Sequence, residues 1–235
     1  MLYLSLLRLM VFKQKGMKVV ITGSSGLMGK GALLQCVKDS RVEEVLIINR
    51  KSIGFNHPKV KEILLTDMFE LDSIKEELKG YDACFFSIGI TAFRAKEEYY
   101  HKMTFGLTKL FADVLWQQNP DLTFLYISAE GSDPTESSGS FWKDARGKTE
   151  NYIIHSGKKG YVFRLAVIKP IGEVSSRTYG AAEPVVKVLY PVLRCLAPNK
   201  VTTTENIGKS FLNIVEKGND IKLLQSRAIN ALAAQ

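Results

Sequence analysis

Gly23, Gly26 and Gly29 recur at every third position in "ITGSSGLMGKGALL", Ile21 to Leu34, between an apolar run and a helix-like run. That spacing fits a turn able to bind the diphosphate of a dinucleotide. Gly23 permits a tight turn out of a strand, Gly26 lets the backbone approach a pyrophosphate, and Gly29 allows close packing of helix on strand. The helix N-terminus, with Ser24, Ser25, Leu27 and Met28 interleaved among the glycines, then offers N–H groups and a positive dipole end to the phosphates. The pattern is GxxGxxG rather than GxGxxG, and a purely structural turn is the bland alternative. The second apolar run ends in "LIINRKSIG". An NAD site usually places an acid there to accept from the ribose 2′-hydroxyl. Arg50, Lys51 and Ser52 suit a 2′-phosphate instead, so NADP is expected ahead of NAD. For Arg50 and Lys51 the alternative is a solvated loop pair.

These residues can do such chemistry only if strands and helices hold them. Strands are predicted over Met17–Thr22, Val45–Asn49, Val60–Leu65, Ala83–Ser87, Leu122–Ser128 and Tyr161–Leu165. Helical patterns lie between them, near Leu27–Lys38, Asp72–Lys79, Lys96–Gln118 and Phe141–His155. The strands read as near-continuous apolar runs, as required when both sheet faces are covered. The alternation predicts an α/β fold: a doubly wound, Rossmann-like parallel sheet with helices on both faces. After Arg164 the pattern changes. "EPVVKVLYPVLRCLAP" is apolar and interrupted by Pro184, Pro191 and Pro198, and a capping-box signal from Thr202 to Glu205 then opens an amphipathic helix. A small C-terminal helical lobe is therefore expected from about residue 166, within a single domain spanning 17–235.

With 235 residues and a net charge of +8, the chain has room for a substantial core and favours anionic partners. Its basic residues are dispersed, which disfavours nucleic acid. Cys36, Cys84 and Cys195 form no CxxC pair, and His101 and His155 lack metal-type spacing, so no metal site is expected. A reduced, cytoplasmic setting is the default. The leading "MLYLSLLRLMVFKQKG" lacks a positive n-region and a cleavage site. Two readings stay open for it: translation starting at Met17, or an amphipathic helix packing on the body or a membrane surface.

From Met17 to about Arg164 the sequence resembles the extended and atypical short-chain dehydrogenase/reductase superfamily. Besides the glycines, "LLTDMFELDSIKEELKGYDACFFSIG" is similar to that family's third strand, adenine-contacting Asp and fourth strand. The resemblance implies that Asp67 and Met68 border the adenine and that Ser87, Ile88 and Gly89 flank the cofactor ribose. Plainer roles are a helix N-cap for Asp67 and a simple turn for Gly89.

Active members of that superfamily use a Tyr-x-x-x-Lys pair on one helix face, together with a Ser or Thr after the fifth strand. Here the aligned positions are Trp142 and Arg146, and the hydroxyl position falls on Ala129, or on Ser128 in the neighbouring register. Indole donates a hydrogen bond but shuttles no proton near neutral pH. Arginine could still grip the ribose. "AEGSDPTESSGSFWKDARGKTENYI" more closely resembles a bacterial group of NAD-dependent epimerase/dehydratase-like proteins in which a tryptophan also replaces the tyrosine. Gly147, Thr149, Glu150 and Asn151 match that group's motif, while Arg146 stands where a lysine is expected. Thr104 stands near a position that holds Asn in many relatives. Tyr100 is the candidate replacement acid, against a packing role; Glu130, Asp133 and Glu136 are further candidates, against a solvated loop.

The leading expectation is an NADP-dependent oxidoreductase or epimerase-like enzyme. Trp142 would stack at the nicotinamide, Arg146 would hold the ribose, and an apolar small molecule would enter the lobe Glu183–Pro198. The alternatives are a non-catalytic NADP sensor and a membrane-surface protein. Substrate and oligomeric state stay open.

Overall fold

Val19, Val20 and Ile21 follow one another with no exposed surface. A strand buried on both faces must lie inside a sheet covered on both sides. The computed structural model describes residues 16–172, 174 and 183–235, and shows that arrangement. The chain runs β1 (Met17–Thr22), α1 (Leu27–Lys38), β2 (Val42–Asn49), β3 (Val60–Leu64) and β4 (Ala83–Phe86). It continues with α2 (Glu97–His101), a π-helical turn (Lys102–Gly106), α3 (Leu107–Gln118), β5 (Thr123–Ala129), α4 (Phe141–His155) and β6 (Gly160–Leu165). Seven strands form one sheet in the order β3-β2-β1-β4-β5-β6, with a short strand at the far edge. Every neighbouring pair is parallel; Ile21 on β1 faces Ile47 on one side and Phe85 on the other.

Phe85 and Phe86 point to opposite faces and anchor two cores. On one face Phe86 packs with Phe111, Phe124 and Tyr126 beneath α3. On the other, Phe85 meets Phe211 edge-on at 5.2 Å, among Leu33, Ile47 and Ile207. Covering both faces of a seven-stranded parallel sheet in this way is the doubly wound architecture that the strand pattern predicts.

Beyond β6 come β7 (Val167–Lys169), α5 (Glu183–Leu196), β8 (Val201–Thr203), α6 (Thr204–Lys217), β9 (Leu223–Gln225) and α7 (Ser226–Ala233). β7 and β8 form a separate two-stranded sheet beside α5, and this is the small lobe. The remainder returns to the main body. α6 buries Ile207, Phe211, Leu212 and Ile214 in the core, and β9 adds the seventh strand. "LLQ" is too short to register as a strand until β6 pairs with it.

Three local expectations are corrected. The segment Asp72–Lys79 forms 3₁₀ turns, Leu71–Ile74 and Glu76–Leu78, rather than an α-helix. The residues buried here are Leu71, Ile74 and Leu78, and two 3₁₀ turns suffice to bring them to the core. The long helix from Lys96 is interrupted by the π turn, where the Thr108 hydroxyl donates to the Thr104 carbonyl at 2.6 Å. The cap of α6 is Thr203, which accepts from Asn206 N at 3.0 Å. Thr202 is kept extended by pairing with Ile168, and its hydroxyl donates to Asn230. The stretch 1–15, with its two readings, lies outside the described residues.

Candidate functional site

The strand order turns around between β1 and β4, and the glycine turn sits at their carboxyl ends. Ligands of open α/β sheets bind in the crevice at that place. Gly23 has φ +68°, and a Cβ there would lie 2.9 Å from the Ser87 carbonyl and hydroxyl oxygens. Ser87 cannot retreat: its N–H donates to Thr22 Oγ1 at 3.2 Å and its hydroxyl to the Thr22 carbonyl at 2.7 Å. Gly26 N–H closes the turn on the Gly23 carbonyl at 2.9 Å, and Gly26 then caps α1 with no side-chain partner for the first helical amides. On Gly29 a Cβ would stand 2.3 Å from the Gly23 carbonyl oxygen. Gly23 and Gly29 are thus each required by a separate close approach, whereas a Cβ on Gly26 would make only a tight 3.3 Å contact with the Gly23 carbonyl oxygen.

In front of the turn lies a groove of about 630 Å³. Gly23, Ser25, Gly26, Arg50, Asp67, Met68, Ser87, Ile88 and Gly89 all contribute to its walls. Ser25, Arg50, Asp67 and Gly89 are exposed in it. Ser24 is buried and hydrogen-bonds to Asn49 at 2.8 Å; Leu27 and Met28 pack inward from the first turn of α1. Lys51 is exposed but is not a wall of the groove. Asp67 accepts from Phe69 N–H at 2.9 Å, a turn of its own in place of a helix cap. Tyr99, Lys102 and Met103, which sequence reasoning missed, close the groove from α2 and the π turn. The sequence marks only their place near the start of the helical pattern that begins at Lys96. A larger cavity, about 790 Å³, opens around Met17, Asp82 and Thr123 at the amino ends of the strands. It is far from the glycine turn and on the wrong edge of the sheet for a nucleotide.

Adjacent tyrosines part company. Tyr99 is 53% exposed at the groove, whereas Tyr100 is 1% exposed and turned inward. The Tyr100 hydroxyl accepts from Arg146 Nε at 2.9 Å, and its ring meets Phe141 edge-on at 5.5 Å. Arg146 is half-buried. Burial opposes its charge, but the surrounding groups, the Tyr100 hydroxyl it donates to and the Glu150 carboxylate among them, outweigh that and raise its pKa. Desolvation pushes the Tyr126 phenol up to about 12, so it stays neutral. Trp142 is half-buried, its ring tip 3.2 Å from where a Cβ on Gly131 would stand. Tyr100, Trp142 and Arg146 are not among the groove's walls.

The hydroxyl after the fifth strand is already committed. Buried Ser128 donates to Glu150 Oε1 at 2.5 Å and lies 3.0 Å from the Ser132 hydroxyl. Glu150, with no exposed surface, in turn pairs with Arg164. Gly147 is explained by packing, because a Cβ there would overlap the Asp133 carbonyl oxygen. The loop acids are likewise engaged: Glu130 with Lys200, Asp133 with Thr135, Glu136 with Asn151. Among the described residues no cluster of His, Cys, Asp and Glu could hold a metal ion. Nor is any helix among them long and apolar enough to cross a membrane.

The chain matches no protein-family profile. It is 25% identical over 189 residues to Leucinostatins biosynthesis cluster protein T of Purpureocillium lilacinum, covering 77% of this chain and 64% of that one. It is 29% identical over 140 residues to Protein FMP52, mitochondrial, of Debaryomyces hansenii, covering 59% and 60%. It therefore spans about three-fifths of the length of these curated relatives. Among solved structures it superposes on the Bordetella bronchiseptica enzyme WbmG in complex with NAD. The TM-score is 0.66 at 11% identity, over 95% of this chain and 78% of that one. On ADP-L-glycero-D-manno-heptose-6-epimerase of Helicobacter pylori the TM-score is 0.64 at 13% identity, over 93% and 80%. The fold is Rossmann-like. Within this Rossmann-like frame the glycine turn and the groove lie at the carboxyl ends of the central strands β1 and β4.

Proposed function

We propose that the groove binds NADP and that the protein is an oxidoreductase or epimerase-like enzyme acting on an apolar small molecule. The observation that carries this reading is the glycine turn. It leaves the first amides of α1 without a side-chain cap, on a turn that only glycine at position 23 permits, because a Cβ there would strike Ser87. A diphosphate suits that cradle, since it accepts from backbone N–H groups at the positive end of a helix. Asp67 and Met68 then border the adenine, and Ser87, Ile88 and Gly89 flank a ribose. The choice of NADP rests on Arg50, an exposed wall of the groove whose planar fork suits a 2′-phosphate. NAD is the competing cofactor, as the bound WbmG structure illustrates for that protein.

When bound, the nicotinamide supplies hydride transfer. This chain's residues supply position and protons. Arg146 spends Nε on Tyr100, and its remaining N–H groups would be the ones to grip ribose hydroxyls. Tyr100, held by that guanidinium, would be the proton donor only if the packing that turns it inward, away from the groove, opened on binding, and Trp142 would then cover the nicotinamide side. The substrate is apolar; exposed Val188, Val192 and Leu196 on α5 offer surface of that character. A cytoplasmic location belongs to the same proposal.

One observation favours a second reading, a cofactor sensor without turnover. The Ser128 hydroxyl is consumed by Glu150 and Ala129 has none, so no hydroxyl from this strand end is free to polarise a carbonyl. Calorimetry with NADP⁺, NADPH and NAD⁺ tests the shared premise, and absence of heat at millimolar nucleotide overturns both readings. Hydride turnover on a panel of carbonyl compounds, abolished in Arg146→Ala, supports the enzyme. Binding without turnover across the panel supports the sensor.

A further inference from the structure

Asn49 ends β2 with its side chain buried and fully shared. Its Oδ1 accepts from the Ser24 hydroxyl at 2.8 Å, and its Nδ2 donates to Glu62 Oε1 at 2.8 Å. Glu62, on β3, also accepts from the Ser52 hydroxyl at 2.5 Å and from Ile53 N–H at 3.3 Å. One carboxylate thereby joins the glycine turn, the end of β2 and the loop that follows it. Arg50 lies between Asn49 and Ser52, so the backbone is held on both sides of it.

In a site for NAD, an acid near this strand end accepts from the ribose hydroxyls. Glu62 does something different. Both its oxygens are occupied by protein donors, and it is not a wall of the groove. Burial alone would raise its pKa, but the Ser52, Asn49 and Ile53 donors prevail and keep the carboxyl below its ordinary range. It is an ionised clamp, not an open acceptor.

We infer that Glu62 is a positioning residue for cofactor choice: by holding Asn49, Ser52 and Ile53 it fixes the loop and aims Arg50 at a ribose 2′-phosphate. The inference rests on the NADP reading and deepens it. Its physical basis is preorganisation, since a long charged side chain on a slack loop loses more freedom on binding than one on a clamped loop.

The test is calorimetry on the full chain with two probes, adenosine 2′,5′-bisphosphate and adenosine 5′-monophosphate. The wild-type protein should prefer the bisphosphate. Glu62→Ala should cut that preference about tenfold, the loss of one charge-assisted contact, with little change for the monophosphate. Glu62→Gln, which keeps an acceptor, should fall between the two. Ser52→Ala removes one exposed hydroxyl without changing charge; it should act in the same direction, and it stands in if Glu62→Ala does not fold. Tighter bisphosphate binding in Glu62→Gln would make Glu62 a repulsive group and overturn the inference. Equal losses for both probes, or none, would overturn it too while leaving the NADP reading intact. A wild-type protein indifferent to the 2′-phosphate would remove both.

Discussion

A methyl group on Gly29 would press to 2.3 Å of the Gly23 carbonyl oxygen, and neither backbone can give way without opening the turn. Gly29→Ala should therefore destabilise the fold by about 1–3 kcal/mol, an overpacking cost, and weaken dinucleotide binding with it. Urea unfolding and a nucleotide titration measure the two effects. Tyr100 belongs to the same scale. If its phenol delivers the proton, Tyr100→Phe keeps the ring against Phe141 and lowers kcat by about 10²–10⁴-fold at unchanged nucleotide affinity. Unchanged turnover would reduce Tyr100 to a packing partner of Arg146. The glycines were legible in the sequence because a backbone requirement excludes almost every other residue type. Which of Tyr99 and Tyr100 faces the groove was not, because that depends on how α2 is rotated against α4.

At the scale of elements, the join between α4 and β6 is a buried charge network. Glu150 has no exposed surface, and it holds Arg164 on the neighbouring strand and the Ser128 hydroxyl on β5. Removing one member of such a pair strands the other charge. Glu150→Ala should cost about 3–5 kcal/mol, whereas replacing Glu150 and Arg164 together by Leu and Met should cost far less. Chemical denaturation of the two variants decides it. The resemblance marked Glu150 and Gly147 as motif positions; the structure gives each a packing or pairing reason. Gly147 lets the loop's Asp133 carbonyl lie against α4, and Glu150 fixes that helix to the sheet.

For the whole molecule, closure depends on bringing the C-terminal third back to the first βαβ unit. Arg41, just before β2, bonds to Asp39 and reaches Asn213 at 3.0 Å and Glu216 at 2.5 Å on α6. The Arg41 hydrogen bond lowers the Asp39 pKa against the opposing effect of burial. With the folded value depressed, this contribution is complete above the unfolded carboxyl pKa of about 3.9 and disappears as pH falls through the lower folded value. Asp39→Asn should thus lower Tm at neutral pH and lose less than the wild type as pH falls from 6 towards 3. Equal acid slopes in the two proteins would show that the cluster adds nothing to stability.

The sequence by itself determined the doubly wound class, the glycine turn and the break in pattern after Arg164. Those follow from local backbone geometry and from burial on both strand faces, which residue type records directly. Tertiary structure alone decided that α6 and β9 complete the sheet, that Tyr99 rather than Tyr100 lines the groove, and that Glu62 clamps the loop carrying Arg50. Each of these is a relation between segments far apart in the chain, set by packing and by competition for hydrogen-bond partners, and no single stretch of residues encodes it.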